Sequence, residues 1–78
     1  MAWRRLDCAD ESWRVALAAE RSAASAPWSL VLSFRSERSG RNLWAPFPLQ
    51  SHSQASLFAQ AERISDADLI AVLSERLR

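Results

Sequence analysis

The chain contains no lysine, no threonine and no tyrosine, and it carries a single cysteine, a single glycine and a single histidine among its 78 residues. Each gap closes a class of function. Without lysine there is no Schiff-base catalysis and no P-loop lysine. With Gly40 alone, neither a multi-glycine phosphate loop nor a nucleophile elbow can be built. Cys8 has no second thiol to pair with, and a protein this small without a disulfide suits a reducing compartment, so the expected location is cytoplasmic. Long apolar runs are missing too. The longest purely aliphatic stretch, Val15 to Ala19, falls far short of the ~20 residues that cross a bilayer. The N-terminal segment starts positive at Arg4 and Arg5 but meets Asp7, Asp10 and Glu11 with no apolar stretch between, unlike an export signal. No membrane partner is expected.

What is present fits one small folded domain spanning residues 1–78. Hydrophobic residues make up 49% and charged residues 24% of the chain, a balance typical of globular proteins. A chain of this size hides only ~60% of its unfolded surface, which limits its stability to ~3–5 kcal/mol unless a partner adds to it. Ten basic residues, all arginine, face nine acids for a net charge of +1, so the whole chain carries no general message for nucleic acid or membrane. The distribution is less even. Residues 28–49 hold Arg35, Arg38 and Arg41 against Glu37 alone, and the excess positive charge collects there.

Hydrophobic periodicity predicts an α+β domain. Trp28, Leu30, Leu32 and Phe34 alternate with Ser29, Val31, Ser33 and Arg35, the pattern of a half-buried strand. Residues 36–41 are polar and contain Gly40, which tolerates the positive φ a hairpin loop commonly requires. After this turn, Leu43, Ala45, Phe47 and Leu49 share one side of an extended segment, with Asn42, Trp44, Pro46 and Pro48 on the other. Two prolines without N–H groups predict that this strand lies at a sheet edge or ends early. Residues 13–20 fit two periods. Trp13, Val15, Leu17 and Ala19 alternate as in a strand, while Trp13, Leu17 and Ala24 also sit at helical spacing in an alanine-rich stretch. Two strands alone are marginal, which favours a further hairpin from residues 3–8 and 13–20 with a turn at residues 9–12. Residues 21–27 serve as a connector.

The C-terminus predicts a helix. Ser65 can cap it, Asp68 completes a capping box, Ile64 can staple against Leu69, and Leu69, Ile70, Leu73 and Leu77 form an apolar stripe. Asp66 and Asp68 in the first turn and Arg76 and Arg78 near the end agree with the helix dipole. A shorter helix over residues 54–62 would turn Leu57, Phe58 and Ala61 inward. The expected architecture is a small antiparallel sheet of three or four strands packed against one or two C-terminal helices. The segments Trp28 to Phe34, Arg41, Trp44 to Pro48 and Ser65 to Leu69 resemble small bacterial proteins with a short β-meander closed by a C-terminal helix. This chain departs from that pattern in its longer link between residues 49 and 64. The resemblance implies a fold and brings no activity.

Candidate chemistry is sparse. His52 lies between Ser51 and Ser53 in a polar loop, with neither an oxyanion hole nor a strained nucleophile turn around it, and reads as a solvated side chain. Cys8 with Asp7, Asp10 and Glu11 lacks the paired ligand spacing of a zinc site and reads as a small apolar strand residue. Asp66 and Asp68 are explained by helix capping. No cofactor motif is present, and no enzyme is expected. The remaining candidates are Arg35, Arg38, Arg41 and Trp44: guanidinium groups and an exposed indole suit either a protein interface or a phosphate backbone with stacked bases, unless the helix over residues 54–62 covers Trp44. The expected role is a non-catalytic protein-interaction or accessory module, with a second copy of the chain or another protein as partner. Nucleic-acid binding through the arginine-rich hairpin at residues 35–44 is the alternative.

Overall fold

The computed structural model describes residues 3–78; Met1 and Ala2, the start of the segment compared above with an export signal, lie outside them. The chain forms four strands and then two helices: β1 (Arg4–Cys8), β2 (Glu11–Glu20), β3 (Trp28–Ser36), β4 (Asn42–Ser51), α1 (Gln54–Ala61) and α2 (Asp66–Leu77). The strands lie in sequence order in one antiparallel sheet, a meander with β1 and β4 at its edges. This is an α+β fold, and the segment with two candidate periods is a strand.

The register explains why alternation outweighed alanine's helix propensity in β2. Val15 lies opposite Phe34, Leu17 opposite Leu32 and Ala19 opposite Leu30, while β4 adds Leu43, Ala45 and Phe47 to the same rows. As a strand, β2 delivers all its odd-numbered apolar side chains to one continuous face; as a helix it would have scattered them. Trp13, Val15, Leu30, Leu32 and Phe34 are buried completely on that face. Both helices pack on it, with Leu57 and Ala61 of α1 and Leu69 and Leu73 of α2 closing the core. Each fully buried leucine contributes ~1.5–3 kcal/mol in transfer terms.

Local signals set the turns and caps. Ala9 and Asp10 both adopt left-handed backbone, with φ of 54° and 61°, so β1 and β2 are joined by a tight two-residue turn. Gly40 has φ of 70°, and the hairpin loop between β3 and β4 turns through it. Ser36, buried at the end of β3, donates to Glu11 Oε1 at 2.6 Å and accepts from the amides of Arg38 and Ser39. Ser53 caps α1 and Ser65 caps α2, the latter accepting from the Asp68 amide at 3.1 Å. Arg4 then ties β1 to the start of α2, donating to the Ile64 carbonyl and pairing with Asp66 at 3.2 Å.

One feature of β4 departs from simple alternation. Phe47 lies opposite Leu30 but Gln50 lies opposite Ser29, so Pro48 and Leu49 fall in a bulge with no residue across from them. The proline that cannot donate sits where the ladder is interrupted.

Candidate binding face

Both helices occupy one side of the sheet, and among the described residues nothing covers the other. The open face is built from the alternate residues. Arg5, Arg14, Arg35 and Asn42 form one cross-strand row; Ala16, Ser33 and Trp44 form the next; Ala18, Val31 and Pro46 the third. The first row is charged and the other two are small or apolar apart from the indole.

Glu37, just past β3, is the shared partner of two of these arginines. Its Oε1 accepts from Arg5 at 2.8 Å and from Arg14 Nε at 2.9 Å. Two guanidinium groups thus share one carboxylate, and Arg35 has no ion pair among the described residues. Arg14 uses its Nε for Glu37, which leaves its terminal nitrogens for another acceptor.

Trp44 is the one large apolar side chain among the described residues that is exposed, at 57% of its surface. The other three tryptophans are engaged. Trp3 donates to Glu62 at 3.0 Å beneath the Arg4 guanidinium, the buried Trp13 donates to the Cys8 carbonyl at 3.2 Å, and Trp28 lies beneath Arg21 at 4.2 Å. In the Trp44 row the neighbours are only Ala16 and Ser33, so the indole stands above them and beside Arg35, its diagonal neighbour across the β3–β4 ladder. Arg14, Ala16, Ser33, Arg35, Asn42 and Trp44 line a shallow depression here.

Of the four residues singled out by sequence, Arg35 and Trp44 meet on this face. Arg38 and Arg41 lie exposed in the loop beyond its charged end. Arg5 and Arg14 belong to the face and were not identified from sequence. The alternation that buries Trp13 and Val15 points Arg14 outward, but its proximity to Arg35 depends on the β2–β3 register, which no local pattern specifies.

The other candidates fall into structural roles. His52 is exposed, and its neighbours bond elsewhere: Ser51 Oγ accepts from the Ser53 amide and Ser53 Oγ from the Ser56 amide. Asp66 pairs with Arg4, and the Asp68 amide receives the Ser65 cap. Cys8 is half-buried, with its Sγ 3.7 Å from Ser74 Oγ. Among the described residues no three His, Cys, Asp or Glu side chains converge as metal ligands would, and no helix is long and apolar enough to cross a membrane.

Comparison with protein-family models, with curated proteins and with solved structures finds no match.

Proposed function

We propose that this protein is a non-catalytic interaction module that binds a partner protein through the helix-free face of its sheet. The carrying observation is Trp44, left 57% exposed next to Arg14 and Arg35. Tryptophan and arginine are the residues most enriched at the energetic centres of protein interfaces. A tryptophan can bury ~150–250 Å², so covering what Trp44 still exposes is worth roughly 3 kcal/mol at ~25 cal/mol per Å². The adjoining rows of Ala16, Ala18, Val31 and Pro46 extend the contact with apolar atoms. The cross-strand rows of this face carry two acids, Asp7 and Glu20, against three arginines, of which Arg5 and Arg14 already share Glu37.

A photocrosslinking amino acid at Ser33, with one at the exposed Ala71 of α2 as control, tests this in cell extract. The Ser33 position is expected to capture a defined protein, and Trp44→Ala is expected to reduce that capture at least fivefold. Adducts from Ala71 alone, or no protein adduct from Ser33, refute the reading.

The arginine row favours one second reading, a single-stranded nucleic acid with Trp44 stacked on a base. Contacts from Arg35, Arg38 and Arg41 to three phosphates predict a log–log salt slope of about −2 to −3. The face offers only one exposed aromatic, whereas single-strand binders stack successive bases on several. That ranks this reading below the protein partner.

A further inference from the structure

The chemistry of the depression beside Trp44 specifies what kind of partner segment fits. We infer that it takes an extended acidic segment in which a carboxylate lies two positions from an apolar side chain; this rests on the reading of the helix-free face as a protein-binding surface. Arg14 and Arg35 are directly opposite each other on adjacent strands. Neighbouring strands are ~4.8 Å apart, so two such guanidinium groups can flank a single carboxylate. Arg35 has no ion pair among the described residues, and Arg14 is bound to Glu37 only through Nε. Arg35 and the terminal nitrogens of Arg14 thus keep donors for a further acceptor.

The apolar subsite lies two residues along the strands, over Ala16 and Ser33 and against the Trp44 ring. Two residues of strand span ~6.8 Å, which is also the distance between side chains i and i+2 on the same face of an extended peptide. The depression has a volume of about 330 Å³ and is open, at the lower limit of ligand pockets, so it seats one side chain and leaves the rest of a segment on the surface. Strand addition at the β4 edge is hindered, since Pro46 and Pro48 offer no N–H groups. Recognition therefore runs through side chains on the face. A carboxylate is distinguished from its amide isostere because charge-assisted bonds to arginine are about twice as strong as neutral ones.

The test is an amide and indole NMR titration of the full chain with two synthetic octapeptides, one with Glu two positions before Leu and the other with Gln in place of that Glu. The Glu peptide is expected to shift the Trp44 indole N–H and the Arg14 and Arg35 Nε–H signals, with an affinity at least fivefold above that of the Gln peptide. Arg35→Gln, which breaks no ion pair, should remove the preference for Glu, and Trp44→Ala should weaken both peptides alike. Equal binding of the two peptides on this face overturns the inference and leaves the protein-binding reading standing. Shifts on the face caused by octathymidylate and by neither peptide overturn both, as does a face that no probe moves.

Discussion

The Ser36 hydroxyl donates to Glu11 Oε1 at 2.6 Å from a side chain that is almost wholly buried. It thereby links the β3–β4 hairpin loop to the first residue of β2 while accepting two loop amides, those of Arg38 and Ser39. One hydroxyl serves three groups.

Ser36→Ala should therefore cost more than an ordinary serine substitution. The part-buried bonds to the Arg38 and Ser39 amides and to the Glu11 carboxylate are lost together, and an unsatisfied buried group costs ~1–3 kcal/mol. Urea unfolding followed by circular dichroism is expected to show a loss of about 2 kcal/mol. Glu11→Gln, which keeps an acceptor oxygen, should lose less than half of that.

The two tight turns respond in opposite directions. Ala9 holds a φ of 54°, a conformation that costs a residue with a Cβ ~1–2 kcal/mol. Ala9→Asn, a residue tolerant of that conformation, should raise stability by ~0.5–1 kcal/mol. Gly40→Ala should lower it by about 1 kcal/mol through backbone strain alone, because a Cβ there would meet no atom within 4 Å. Thermal melts distinguish the pair, since 1 kcal/mol moves Tm by ~4–8 °C in a domain of this size.

Trp13 and Trp44 should separate folding from binding. Trp13→Ala removes a completely buried indole and is expected to cost ~3–5 kcal/mol, as much as the whole stability of so small a core, so the variant should be largely unfolded. Trp44→Ala should change stability by less than ~0.5 kcal/mol. In wild type, acrylamide quenching is expected to act first on a fluorescence component that Trp44→Phe removes.

The helix end of the molecule is fastened by Arg4, which bonds the Ile64 carbonyl and pairs with Asp66 across sixty-odd residues of chain. Arg4→Ala should destabilise by ~1–2 kcal/mol, mostly through the charge-assisted bond to the carbonyl, because the pair with the exposed Asp66 is worth little. Hydrogen exchange should quicken first at the amides of Leu69 and Ile70. Uniform acceleration across the sheet would contradict this assignment.

Much of this architecture is written locally. The alternation of residues 28–35, the position of Gly40, the prolines of β4 and the Ser65 cap each state their element within a few residues, and β3, its turn, β4 and α2 follow. Residues 13–20 were ambiguous because Ala16, Ala18 and Ala19 suit either period, and the choice is made by rows of Phe34, Leu32 and Leu30 across the ladder. The candidate face is legible only in part for the same reason. Trp44 and Arg35 point outward by simple alternation, whereas the juxtaposition of Arg14 with Arg35, and of Glu37 with Arg5 and Arg14, is created by register. The bulge at Pro48 and Leu49 is legible only in part, since a proline suits an edge strand and a bulge alike and the register alone chooses between them.

Because both helices follow the meander and settle on a single side, neighbouring positions along β2, β3 and β4 answer to different demands. Replacements at Val15, Leu32 and Phe34 are judged by whether the chain still folds, and those at Ala16, Val31 and Arg35 by what the chain can still hold. A saturation scan scored for abundance should oscillate with every second residue along these strands.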